Sequence, residues 1–119
     1  MNKTIKEMQH EIIQEMSRLN DWIDKYEYII QLGKQHPAID NTLRTQENAI
    51  PGCQSNVWII PQKDGDRMSF LADSDSAIIR GMLVLLLRIF NHQTSEAIRH
   101  ANLFFLKETG LVNQLSPSR

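Results

Sequence analysis

Little in this 119-residue chain is suited to the commoner kinds of active site, and the shortages are informative. There is one cysteine, Cys53, so the chain can form no internal disulfide, run no Cys-x-x-Cys exchange cycle and build no cysteine-rich metal cage. Glycine is also scarce, and none of the five residues belongs to a Gly-rich loop leading into a helix that could cradle phosphate. The four histidines, His10, His36, His92 and His100, include no His-x-x-x-His pair and no recognisable protease signature. Lysine and arginine total 13 against 14 acidic residues, so no basic surplus is available to neutralise nucleic-acid phosphates. The strongest apolar stretch, Ile78 to Phe90, spans 13 residues and is broken by Arg80 and Arg88, too short and too charged to cross a bilayer. The N-terminus lacks the apolar core of a secretory signal. A lone free thiol also suits a reducing compartment, and the expected location is the cytoplasm.

What is present reads as one domain over residues 1–119. Ile5, Met8, Ile12, Ile13, Met16 and Leu19 recur at helical spacing. Asn20 is placed to cap a second helix carrying Trp22, Ile23, Tyr26, Ile29 and Ile30, with Gly33 as its expected terminator. Residues 34–48 form a polar connection with little periodicity, of a length often found where loops have functions. Val57-Trp58-Ile59-Ile60 predicts a strand, residues 61–66 a turn, and residues 67–72 a returning strand, with room for a third strand before Cys53. Asp73-Ser74-Asp75-Ser76 opens a third helix with cap-type residues and favourable charge. Its body, Ala77 to Phe90, is apolar nearly all round and should be buried, and Gly81 within it implies close packing against another element. Shorter helices are expected from Thr94 to about Ala101 and from Leu103 to Glu108.

Cys53 sits in Ile50-Pro51-Gly52-Cys53-Gln54-Ser55-Asn56-Val57-Trp58. Four roles are open to it: a passive buried residue, a redox sensor, a nucleophile or a group carrier. Core cysteines usually lie among apolar neighbours in mid-element, whereas this one follows a Pro-Gly turn, where the backbone can approach another molecule. Turn N–H groups, or the side chains of Gln54 and Ser55, could hydrogen-bond a thiolate or persulfide. A redox sensor draws little support without a resolving cysteine in the chain. Asp73 and Asp75 read first as helix-capping carboxylates and second as groups that orient the cysteine loop or reach a partner. By default Trp22 and Trp58 are core aromatics and Arg119 is a solvated charge.

Several separated segments nevertheless resemble one family in register. Pro51-Gly52-Cys53-Gln54-Ser55-x-Val57-Trp58 is similar to the active-cysteine segment of SufE-like sulfur acceptor proteins. So are Asp73-Ser74-Asp75-x-Ala77-Ile78-x-x-Gly81, Tyr26-x-Tyr28-Ile29-Ile30-x-Leu32-Gly33, Gly110-Leu111 and the closing Leu115-Ser116-Pro117-Ser118-Arg119. The resemblance implies an α+β fold with a small antiparallel sheet of about three strands flanked by helices, related to iron–sulfur scaffold proteins. It also implies a sulfur relay. Cys53 would accept persulfide sulfur from a SufS-like, pyridoxal-phosphate-dependent cysteine desulfurase, stimulate that enzyme and pass the sulfur to a SufBCD-like iron–sulfur scaffold.

Carried over by position, Asp75 and Arg119 match the family's acidic and basic functional positions, while Gly52, Gln54 and Ser55 support the loop. The exchange is a thiolate attack on a sulfur–sulfur bond, so it requires no metal and no bound cofactor on this chain. A transfer protein that activates a desulfurase, rather than a stand-alone enzyme, is the expectation. Other readings are a paralogue serving a different pathway and a non-catalytic adaptor with a structural Cys53. Family members continue past the Ser-Pro-Ser-Arg motif, so the resemblance implies that the final helix is missing here.

Overall fold

A computed structural model describes residues 3–52 and 55–111. The element order is α1 (Ile5–Ser17), α2 (Trp22–Gln35), two single 3-10 turns (Asn41–Leu43 and Gln46–Asn48), β1 (Val57–Asp64), β2 (Arg67–Ser74), α3 (Ala77–Phe90), β3 (Gln93–Thr94), α4 (Ser95–Arg99) and α5 (Phe105–Glu108). Helices and a three-stranded antiparallel sheet of order β1-β2-β3 make an α+β fold, as expected.

α1 begins with a capping box in which the Thr4 hydroxyl accepts from Glu7 N and the Glu7 carboxylate accepts from Thr4 N. Its buried stripe, Ile5, Ile12 and Met16, follows the predicted periodicity. The start of α2 differs by one residue from expectation. Asp21 is the cap, its carboxylate accepting from Asp24 N at 3.0 Å, and Asn20 is not. Nor does Gly33 end this helix, which runs two residues further to Gln35.

Gly33 is instead half of a close helix crossing. A Cβ at Gly33 would lie 2.7 Å from the Ala77 carbonyl oxygen of α3, and a Cβ at Gly81 would lie 1.9 Å from the Ile29 carbonyl oxygen of α2. The two glycines let the backbones of α2 and α3 touch, which offsets what each costs in helix propensity. This satisfies the expectation for Gly81 and reassigns Gly33.

The apolar surround of α3 has a simple cause: it is covered on two sides. Met82, Leu85 and Ile89 pack with Ile12, Met16, Ile29, Phe105 and Leu111 in a helical core. Leu83 faces the other way, onto Val57 and Ala72 of the sheet, with Ile59, Ile79 and Leu87 beside them. The three long helices are also joined by a polar link. Arg88 of α3 donates two hydrogen bonds to Glu15 of α1, at 2.9 and 2.6 Å, and Tyr28 Oη of α2 donates to the same carboxylate at 2.6 Å. The bond from Arg88 is the main reason the Glu15 carboxyl is held below its ordinary range.

The hairpin is longer than the sequence pattern predicts. β1 and β2 pair continuously from Val57↔Ser74 to Asp64↔Arg67, leaving a two-residue turn at Gly65-Asp66. Gly65 has φ +63°, while Asp66 is not in the positive-φ region, the pattern of a II′ hairpin turn. The expected turn over residues 61–66 is therefore mostly strand. Pro61 is tolerated because β1 is an edge strand and its register partner, Phe70, turns its own N–H away to Asn91 Oδ1 at 2.8 Å. The third strand is not before Cys53. It is β3, paired to β2 through Arg67↔Thr94 and Met68↔Gln93. Ahead of Cys53 there is a single bridge, Ala49↔Trp58.

Replacing Gly81 by alanine should force α2 and α3 apart and cost about 3 kcal/mol, the upper part of the range for overpacking. Urea denaturation should show a lowered midpoint with an unchanged m value.

Candidate functional site

Cys53 and Gln54 lie outside the described residues, as does Arg119. The stems on either side of the cysteine are described, and they are held firmly. Ile50 N donates to Val57 O at 2.9 Å and Ala49 bridges Trp58, so the chain on the two sides of Cys53 is joined at the start of β1. Pro51 and Gly52 are exposed, and Ser55 is half-buried. Gly52 has φ +84° with open space where a Cβ would stand. Backbone conformation rather than crowding thus favours glycine beside the thiol.

The outgoing stem is gripped at Asn56. Asp75 accepts from Asn56 N at 3.1 Å and from Asn56 Nδ2 at 2.9 Å. The Asn56 carbonyl accepts in turn from Ser74 Oγ at 2.7 Å and from Asp75 N at 3.3 Å. Four hydrogen bonds therefore fix the residue three positions after Cys53 to the end of β2. Asp75 does not cap α3; that role belongs to Ser76, whose hydroxyl accepts from Ile79 N. Asp75 therefore binds Asn56 and leaves the start of α3 to Ser76.

The incoming stem is gripped two residues away, at Asp73. This side chain has no exposed surface, although it ends a strand. It accepts from Ile39 N at 3.1 Å and Ser74 N at 2.8 Å, and pairs with Arg44 Nη2 at 2.8 Å and Arg80 Nε at 3.3 Å. Burial alone would raise the carboxyl pKa. The backbone N–H groups of Ile39 and Ser74 and the charges of Arg80 and Arg44 outweigh it and hold the group below its ordinary range.

Arg80 also donates to the His36 carbonyl, and His36 Nε2 meets the Ala72 carbonyl at 2.8 Å. The polar connection of residues 34–48 is thus sewn to β2 and α3 along its first half. Arg44 then lies over the ring of Trp58, its Cζ 4.8 Å from the ring centroid. Asp73, like Asp75, is no helix cap.

Of the predicted site residues, Gly52, Ser55 and Asp75 are brought to the same loop. Asn56, Ser74, Asp73 and Arg44 join them without having been singled out as a group. The sequence does carry a partial signal for Asp73, because the hairpin register sets a carboxylate opposite the aromatic Trp58. Reading it requires the correct turn. Among the described residues, no group of three or more His, Cys, Asp or Glu side chains is arranged to hold a metal ion. No described helix is long and apolar enough to cross a membrane.

Comparison with known proteins places these residues in context. Residues 10–119 match the family model described as "SufE: Fe-S metabolism associated domain". The chain is 36% identical to an uncharacterised SufE-like protein of Rhizobium meliloti over 114 residues, covering 92% of this chain and 81% of that one. It is 37% identical to a SufE-like protein of Rhizobium etli, with 92% and 77% covered. The sulfur acceptor protein CsdE of Escherichia coli is 38% identical over 103 residues, 85% of this chain and 70% of its own.

Substituting Asp73 by asparagine should leave Arg44 and Arg80 without a countercharge and cost about 3 kcal/mol near neutral pH. The sign follows from the depressed native pKa. Stability contributed by ionised Asp73 is present above the unfolded carboxyl value, about 3.9, and is lost as pH falls through the lower native value. Denaturation midpoints measured against pH should therefore converge for the two proteins in strong acid. A constant gap across the acid range would remove Asp73 from this role.

Proposed function

The chain belongs to the SufE family, and on that footing we propose that it is a sulfur carrier whose working atom is Cys53 Sγ. The Cys53 thiolate attacks the outer sulfur of a persulfide held on a SufS-like cysteine desulfurase. The donor's sulfur–sulfur bond breaks, its own cysteine leaves as thiolate, and a new sulfur–sulfur bond forms at Cys53. The reverse role follows at a SufBCD-like iron–sulfur scaffold, where Cys53 leaves as thiolate and the sulfur moves on. Each exchange balances without an oxidant or reductant and calls for one thiol on the carrier. Removing the persulfide from the desulfurase frees that enzyme for its next turnover, which is how the carrier stimulates it. The reaction belongs in the cytoplasm, where thiols stay reduced.

The observation that supports this reading is that the stems on both sides of the chain's single cysteine are held in place. The segment that carries it leaves and rejoins the fold at two fixed stems, tied by Ile50–Val57 and by Asp75–Asn56. A thiol presented between fixed stems can be offered to a partner in a defined geometry, and such positioning is a large part of what speeds a bimolecular exchange. Asp75 acts through Asn56 as a positioning residue. Arg119, carried over from the family pattern, supplies positive charge that favours the anionic sulfur.

Incubation with a cognate desulfurase and free cysteine should add one sulfur atom to the intact mass, and Cys53→Ser should abolish the adduct. If wild type gains no sulfur and leaves desulfurase turnover unchanged, the carrier reading fails. Unimpaired stimulation by Cys53→Ser would instead assign the chain an adaptor role. Asp75→Asn should slow transfer on the order of tenfold while costing only about 1 kcal/mol of stability. A large loss of stability with normal transfer by the folded fraction would make Asp75 a purely structural group.

A further inference from the structure

Arg44 lies in the middle of the long connection, nine positions before the cysteine, in a stretch whose composition suggests only a solvated link. Its environment is not that of a solvated link. The side chain is 26% exposed, its Nη2 is 2.8 Å from the wholly buried Asp73 carboxylate, and the guanidinium lies over Trp58 with Cζ 4.8 Å from the ring centroid. Its Nε is buried and makes no hydrogen bond among the described residues. The group is therefore held by two contacts, the carboxylate at its end and the aromatic face beneath it.

Trp58 is where this matters. Its backbone forms the bridge to Ala49 that helps close the neck of the cysteine loop, while its ring bears Arg44. Asp73 is the register partner of Trp58 across the hairpin, and the chain at Asp75 grips Asn56 on the other stem. Arg44 thus joins the incoming connection to both the strand that receives the loop and the strand that holds its far end. Between the anchors at Ile39 and Ala49, its side chain makes this join.

We propose that Arg44 is a positioning residue for sulfur transfer, clamping the incoming stem of the Cys53 loop against Trp58 and Asp73 so that the thiol is presented in one geometry. Arginine is required because the clamp uses a planar cation. Lysine can pair with Asp73 as a point charge, but it cannot lay a guanidinium plane on the indole while donating to the carboxylate. The inference rests on the sulfur-carrier reading for its consequence, but its structural half can be tested separately.

The experiment uses Arg44→Lys, which keeps the charge facing Asp73, and Trp58→Leu, which removes the clamp from the other side. Hydrogen exchange reads the Ile50 amide, which donates across the loop neck, and the α3 amide of Leu85 as a report on the core. The expected result is at least tenfold faster exchange at Ile50 in either variant with Leu85 little changed. In sulfur transfer from a desulfurase, the maximal rate should fall on the order of tenfold with half-saturation little altered. The double variant should be little worse than the poorer single one, as for two residues in one contact.

Unchanged protection at Ile50 in folded Arg44→Lys overturns the clamp, and so does equal loss at Ile50 and Leu85, which marks a general loss of stability. Loss of protection at Ile50 with normal transfer overturns the positioning role. If wild type itself accepts no sulfur, the carrier reading fails, while the exchange measurement still decides whether the clamp exists.

Discussion

A carboxylate with no exposed surface stays ionised inside a protein only when its neighbours replace the water it has lost. Asp73 meets that condition with two backbone N–H groups and two arginines, and all but the neighbouring Ser74 N–H come from parts of the chain that must be brought to it. Ile39 and Arg44 come from the long connection, Arg80 from the first turns of α3 and Ser74 from the strand end. Satisfying one buried charge therefore fixes the connection, the hairpin and the central helix against one another. The cysteine loop has its stems on that assembly, so its position depends on the same charge.

The second requirement is that α3 arrive at the right place. Gly33 and Gly81 allow α2 and α3 to approach until backbone meets backbone, which leaves the first turn of α3 beside the end of β2. Asp73 lies at the end of β2 and Asp75 in the short passage that leads to α3. One carboxylate turns to the incoming stem of the loop and the other to the outgoing stem. Fold and proposed site are thus coupled through a three-residue stretch, with core packing behind it and the stems of the cysteine segment in front.

Much of this was legible in the residues. The helical stripes of α1 and α3, the hairpin's existence, the close approach at Gly81 and the loop character around Gly52 all follow from local pattern. The misplacements share a physical cause. Pro61 looks like a turn residue because it cannot donate to a ladder, but at the edge of a sheet no donor is needed there. Gly33 looks like a helix stop because glycine ends many helices, but the packing of another helix gives it a different use. Asp73 and Asp75 look like caps because short acidic residues before a helix usually are, but Ile39 and Arg44, which bind Asp73, and Asn56, which binds Asp75, lie 19 to 34 positions away in the chain.

By itself the sequence determined the α+β class, the family and the identity of the one residue that could carry sulfur, because these depend on periodicity, motif order and the count of thiols. Only the tertiary structure decided what holds that residue's loop. Hydrogen bonds from Asn56 to Asp75, the burial of Asp73 and the seat of Arg44 on Trp58 join segments that are neighbours only after the hairpin closes and α2 meets α3. Such contacts leave no local periodicity, since their energy depends on which distant group fills the space, and that is settled by packing.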